Sequence, residues 1–177
     1  MNRYVELEEM LHFRERKARI QEELRGIYMG LVTMTLAMNI PGPIKTSDDI
    51  LFAFEEGTRW LEQKITDSGI KIIEMAGVSE NAGFMKFYVL DCADPVLVKD
   101  LAVGLEETHP LGRLWDIDVY NIEGISMSRA AISAPARTCF ICGQEAKGCA
   151  RNRTHSVEEL MRKVESMIRD YQKHQEK

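Results

Sequence analysis

The chain has 177 residues, a mass of 20.2 kDa and a formal charge of −5, from 23 basic and 28 acidic side chains. With 45% hydrophobic and 29% charged residues it is a folding chain rather than a disordered one, and its length suits one domain, residues 1–177, with a sizeable core. No apolar run reaches the roughly 18 residues that span a bilayer, the N-terminus lacks a secretory apolar core, and the acidic balance argues against non-specific duplex binding; the expectation is a cytoplasmic protein with neither membrane nor nucleic acid as partner.

Residues 3–25 are rich in Glu, Arg and Leu, and Leu7, Met10, Leu11, Ile20 and Leu24 give a helical stripe that Gly26 can stop. Tyr28 to Met38, with Leu31, Val32, Thr33 and Thr35, reads as a strand ended by Pro41-Gly42-Pro43. Thr46 or Ser47 can cap a helix from Asp48 to about Asp67, because a hydroxyl there accepts from free backbone N–H groups. Ile70 to Val78 and Phe84 to Leu90 read as a hairpin around Asn81-Ala82-Gly83. Asp94-Pro95 opens a helix running to about Glu107, with proline in its first turn. Trp115 to Asn121 and Ile125 to Ser128 suggest a second hairpin. Residues 133–155 read as irregular. Ser156, with Glu159 three residues on, starts a last helix, 156–174, through a capping box.

The core order is β-α-β-β-α-β, preceded by a helix and followed by an extra strand, an irregular segment and a helix. This is the split βαβ, ferredoxin-like pattern. It predicts an α+β two-layer sandwich, with a nucleotidyltransferase-like mixed sheet as the alternative. Met34, Met38, Met75 and Met85 are expected in the core, as are Trp60 and Trp115.

Asp116 and Asp118 alternate with Trp115, Ile117 and Val119 on a strand, so the two carboxylates share one face. Carboxylates this close repel unless a cation sits between them. Mg²⁺ suits such a pair, since it takes oxygen ligands and shares them with substrate phosphates. Gly112 would let backbone approach a phosphate, Arg113 could hold one in a bidentate way, and His109 could serve as base or phosphate donor. Lys45 follows the Pro-Gly-Pro turn, which would present it to a phosphate. A third carboxylate could come from Glu74, Asp91 or Glu106. The set fits phosphoryl or nucleotidyl transfer; a solvated strand face is the competing reading of the Asp-x-Asp triplet.

Charge is unevenly spread: residues 1–136 hold 22 acidic and 14 basic side chains, whereas residues 137–177 hold 6 acidic and 9 basic. Arg137, Lys147, Arg151 and Arg153 carry the excess and could receive phosphate or an acidic partner. The same segment contains Cys139-x2-Cys142-x6-Cys149-x5-His155, a ligand set for a tetrahedral Cys3His zinc site. The competing reading buries the cysteines as small hydrophobes and gives His155 to the phosphate surface.

The run His109-Pro110-Leu111-Gly112-Arg113-Leu114-Trp115-Asp116-Ile117-Asp118-Val119 resembles the signature of the apo-citrate lyase phosphoribosyl-dephospho-CoA transferase family. Asn39-Ile40-Pro41-Gly42-Pro43-Ile44-Lys45 is similar to that family's early motif, and Arg137-Thr138-Cys139-Phe140-Ile141-Cys142 with Cys149-Ala150-Arg151 and His155 to a later one. The resemblance implies transfer of a phosphoribosyl-dephospho-CoA group from triphosphoribosyl-dephospho-CoA, its 5″-triphosphate precursor, to a serine of the citrate lyase acyl carrier subunit, with loss of pyrophosphate. Two other classes remain open on residues alone: a non-catalytic carrier-binding module using segment 137–155, and a nucleotidyltransferase with another acceptor.

Overall fold

The structure, a computed structural model, describes residues 3–175. It is an α+β arrangement of five α-helices around an open four-stranded sheet. In chain order these are α1 (Leu7–Ile27), β1 (Val32–Met38), α2 (Asp48–Asp67), β2 (Lys71–Glu80), β3 (Gly83–Asp91), α3 (Pro95–Thr108), β4 (Trp115–Tyr120), α4 (Ala146–Asn152) and α5 (Val157–Gln175). The sheet order is β2-β3-β1-β4, and all three pairings are antiparallel. A mixed sheet is therefore not what these strands form.

The helix boundaries follow from local chemistry. Ser47 Oγ accepts from the Ile50 N–H at 3.2 Å, so α2 starts at Asp48. Asp94 accepts from the N–H groups of Val96 and Leu97, ahead of Pro95. The capping box of α5 is reciprocal: Glu159 N–H donates to Ser156 Oγ at 3.1 Å, and Ser156 N–H to Glu159 Oε2 at 2.8 Å. α1 runs through Gly26 to Ile27, one residue beyond the expected stop.

Strand alternation sends side chains to two cores. Val32, Met34 and Leu36 of β1, Tyr88 and Leu90 of β3, and Trp115, Ile117 and Val119 of β4 pack with α2, α3 and α5. Met85, Phe87 and Val89 of β3 and Val78 of β2 pack on the opposite face with Phe13 and Leu24 of α1. The two-layer expectation is thus corrected: α1 adds a layer on the second face. Its inner seam runs through Met10, Phe13, Ile20 and Leu24, while Leu7 and Leu11 are exposed. Met75 is also exposed, because β2 is an edge strand with little covering it.

Two further expectations change. Ile125 to Ser128 is not a strand. It touches β4 through a single bridge, Tyr120 with Ser126, and through the Met127 N–H donating to Val119 O. The reason is that the free edge of β4 is already taken. Ile117 N–H donates to Glu106 Oε1 at 2.9 Å, Lys99 Nζ donates to Ile117 O at 3.2 Å, and Arg137 Nη2 donates to Trp115 O. Ser128 then accepts from the Ala131 N–H and turns the chain into a 3-10 helix, Arg129–Ile132. Segment 133–155 is likewise not wholly irregular, since it contains α4.

Candidate functional site

Beside β4 lies a cleft of about 1200 Å³. Asp116 and Asp118 reach it from the strand, Lys99 and Glu106 from α3, and Arg113, Arg129, Arg137, Lys147 and Arg153 from the connecting segments. The size exceeds that of most small-ligand sites, and among the charged lining residues six Lys and Arg side chains outnumber four carboxylates. Among the described residues no helix is long and apolar enough to cross a membrane.

The carboxylate pair is half-exposed and each member has a cation. Arg137 Nη1 donates to Asp116 Oδ1 at 3.0 Å, and Lys17 Nζ of α1 donates to Asp118 Oδ2 at 2.7 Å. Desolvation, then the neighbouring Asp118 charge, push the Asp116 carboxyl above its ordinary value, against the pull of Arg137 and Lys17. For Lys17, burial works against the charged form, but Asp118 outweighs it and the ammonium is held above its ordinary value.

Glu106 is the expected third carboxylate that the fold brings to the cleft. It is 4% exposed, ion-paired to Arg129, and 3.8 Å from Arg137 Nε. Glu74 instead accepts from Tyr28 Oη, and neither Glu74 nor Asp91 lines the cleft. Arg129 also binds Glu107, and Arg137, which shares Glu106 with it, holds Asp116 Oδ1. Arg113 differs from these in having no ion pair among the described residues; its Nε, like that of Arg137, is buried without a hydrogen-bond partner, and burial, then Arg137 and Arg129, push its pKa down. A guanidinium in that position is short of an anion.

Other expected residues lie elsewhere. His109 ends α3 behind the sheet, among the rings of Trp115, Tyr171 and Trp60 at centroid distances of 4.5, 5.1 and 5.3 Å. Its Nδ1 accepts from the Leu111 N–H at 3.0 Å, and burial pushes its pKa down to about 4. It does not line the cleft and is not grouped with the carboxylates. At Gly112 a Cβ would stand 2.5 Å from the carbonyl oxygens of both Leu105 and Glu106, so the close backbone packing there requires glycine. Lys45 Nζ donates to Ile40 O at 2.5 Å, outside the cleft lining, and burial holds its pKa below the ordinary value. Arg151 is exposed and also outside the lining, whereas Arg153 is within it.

Lys17, Lys99 and Arg129 were not among the expected residues. Two of them carried a signal. Lys17 lies on the α1 seam between Phe13 and Ile20, and Lys99, like Glu106 seven residues later, falls on the buried side of α3 with Val98, Ala102 and Leu105. A charge on an apolar stripe marks a partner that the fold must supply.

One wall of the cleft is formed by the cysteine segment. One ligand atom each from Cys139, Cys142, Cys149 and His155 lies within 4.8 Å of the others, and Cys142 Sγ is 3.4 Å from Cys149 Sγ. Hydrogen bonding to Cys142 pushes the Cys149 thiol up to about 11.

A cleft this large, rich in arginine and floored by paired carboxylates, is suited to a bulky polyanion, and comparison with known proteins places the chain among transferases. The family model for apo-citrate lyase phosphoribosyl-dephospho-CoA transferase matches residues 5–171. The chain belongs to that family. It is 38% identical over 168 residues to the apo-citrate lyase phosphoribosyl-dephospho-CoA transferase of Escherichia coli O1:K1 / APEC, covering 94% of this chain and 90% of the relative. A probable transferase of the same description from Vibrio cholerae serotype O1 (strain M66-2) is 33% identical over 168 residues, covering 94% and 93%. Another from Streptococcus pyogenes serotype M18 (strain MGAS8232) is 34% identical over 170 residues, covering 94% and 87%.

Proposed function

We propose that this protein moves a phosphoribosyl-dephospho-CoA group from its 5″-triphosphate precursor onto a serine of the apo-citrate lyase acyl carrier subunit, releasing pyrophosphate. The observation that carries the reading is the cleft itself, in which Arg113 has no ion pair among the described residues and shares the lining with Arg129 and Arg137. A triphosphate supplies the missing charge. Arg113, Arg137, Arg153 and Lys147 bind it, and guanidinium groups offer the bidentate geometry that phosphate oxygens accept. The reaction class is nucleotidyltransferase-type phosphotransfer, carried out by residues 1–177 as one transferase domain in the cytoplasm. The strand order β2-β3-β1-β4, with α2 and α3 as its crossovers, supports reading the core as the split βαβ, ferredoxin-like arrangement.

Asp116 and Asp118 are the residues that would hold Mg²⁺: like charges on one strand face, with Arg137 and Lys17 each engaging one oxygen of the pair. When bound, the metal would neutralise charge on the triphosphate and its leaving group. Asp116, half-exposed in the cleft, takes the proton from the acceptor serine hydroxyl. The serine oxygen forms a bond to the α-phosphorus as the bond from that phosphorus to the β-bridging oxygen breaks. Arg113 and Arg137 hold the departing pyrophosphate. His109 has no part in the proton transfer, and Lys45 and Arg151 have none in phosphate binding.

The test is to incubate the protein with Mg²⁺, the triphosphoribosyl-dephospho-CoA precursor and an apo carrier subunit, then weigh the carrier intact. A gain equal to the precursor less pyrophosphate, abolished by Asp116→Asn, is the expected result. An unmodified carrier, with precursor intact and the carrier verified as apo, would overturn the reading. An Asp116→Asn variant that transfers normally would overturn the role of that residue.

A further inference from the structure

We infer that Cys139, Cys142, Cys149 and His155 form a structural zinc site that fixes one wall of the cleft. Four ligand atoms of the right kinds already lie within 4.8 Å of one another, and three thiolates with one imidazole are a recurring tetrahedral zinc set.

The local chain is folded to deliver them. Cys139 N–H donates to Gln144 O at 2.6 Å, Gly143 N–H donates to Cys139 O at 2.9 Å, and Ala146 N–H donates to Arg137 O at 2.9 Å. These bonds close a tight loop that brings Cys139 and Cys142 together. Gly143 turns it with φ +72°, which glycine adopts without strain. α4 then carries Cys149. Arg153 ends that helix in the left-handed region at φ +50°, and Thr154 N–H donates back to Cys149 O. That reversal returns His155 to the three sulfurs. A non-glycine residue held at positive φ is a cost, and the returning histidine is what it secures.

Two observations argue against packing as the purpose of these residues. Cys142 is exposed and Cys149 only partly buried, so they make poor core hydrophobes. The His155 Nε2 is buried without a hydrogen-bond partner, although buried imidazole nitrogens are ordinarily satisfied. The segment also has little apolar core of its own, and a metal ion commonly supplies the cohesion that such short segments lack. On binding, three S–H bonds give up their protons to solvent, three Zn–S bonds and one Zn–N bond form, and no electron is transferred. The ligand loops carry Lys147 and Arg153 into the cleft lining, so the metal would set the spacing of two cations there.

The experiment is to purify the full chain under reducing conditions without chelator and measure zinc by elemental and native mass spectrometry. Bound cobalt, exchanged in, is read by its absorption. One zinc per chain, and the strong thiolate-to-cobalt charge-transfer band of a tetrahedral site, are expected. Cys142→Ser and His155→Ala should each weaken zinc binding by more than the roughly 10–100-fold lost when a mere supporting residue is removed. Cys92→Ser, which alters a cysteine outside the cluster, should leave the stoichiometry unchanged. The wild-type measurements stand even where a variant folds poorly. Metal-free protein with freely titrating thiols overturns the inference, as does recovery of a Cys142–Cys149 disulfide in place of metal. The readout is metal content, so it does not depend on the proposed transfer reaction.

Discussion

Lowering the pH should destabilise the fold through His109, and the size of the effect follows from its surroundings. At pH 7 the ring is neutral both folded and unfolded. Below about 6.5 the unfolded chain takes up a proton on it, whereas the folded chain does so only near 4, because the ring sits among Trp115, Tyr171 and Trp60. Stability therefore falls as pH drops from about 6.5 to 4 and, for this group, levels off below that. At 1.36 kcal/mol per pH unit the full displacement, from 6.5 to about 4, caps the loss at about 3.4 kcal/mol. The ring is only partly buried, and solvent screening brings the expected loss to about 1–2 kcal/mol. The assay is urea unfolding at pH 7.0, 6.0, 5.0 and 4.5 (roughly the window set by the two values), on wild type and on His109→Phe. Phenylalanine keeps a ring against the three aromatics and removes the titration; its loss of the bond from Leu111 N–H costs the same at every pH. The wild type should lose about 1–2 kcal/mol more than the variant between the ends of that range. Equal slopes for the two proteins would refute the reasoning.

Three further outcomes are expected. Arg129→Met strips the buried Glu106 of its closest cation, leaving the Ile117 N–H, Lys99 and Arg137 at 3.8 Å as partial compensation, and should cost about 2–4 kcal/mol. Adding Glu106→Gln should recover part of that loss, which a double-mutant cycle in chemical denaturation would measure. Gly112→Ala places a Cβ against two carbonyl oxygens and should cost about 1–3 kcal/mol, read as a melting temperature roughly 2–12 °C lower; an unchanged melting temperature would contradict so close an approach of backbone at Gly112. Arg113→Met should leave the melting temperature unchanged or raise it, because the variant removes a desolvated cation crowded by Arg137 and Arg129. The same change should weaken binding of the triphosphate precursor by ~10-fold or more, and calorimetric titration would check that loss.

The residues that set secondary structure act on near neighbours, which is why much of the fold was legible. Ser47, Asp94, Ser156 and Glu159 cap helices through contacts two or three residues away, and the order of elements followed. Alternation on β4 likewise put Asp116 and Asp118 on one face. The partners of these carboxylates were not legible in the same way. Lys17 is 101 residues from Asp118 in sequence, and Arg129 is 23 from Glu106. No local pattern encodes such distances, though the charges on the inner stripes of α1 and α3 hinted that partners existed. His109 misled because it is close in sequence to Gly112 and Arg113, yet the turn after α3 sends its ring behind the sheet. At Gly112 the expectation concerned a phosphate, and the structure adds a constraint the sequence did not show, the backbone carbonyls of Leu105 and Glu106. The extra strand failed for a related reason: the Ile125–Ser128 pattern suits a strand, but side chains from α3 and Arg137 had already claimed the edge it would have joined.

That occupied edge affects how the protein behaves in a crowded solution. An outer strand with free peptide groups invites a strand from another molecule, which is how many proteins begin to aggregate. On β4 such an intruder would meet Lys99, Glu106 and Arg137 already bonded to Trp115 and Ile117, and would have to displace buried charges to pair. The face of β4 can thus stay open to the cleft while its rim remains closed to association along that edge of the sheet.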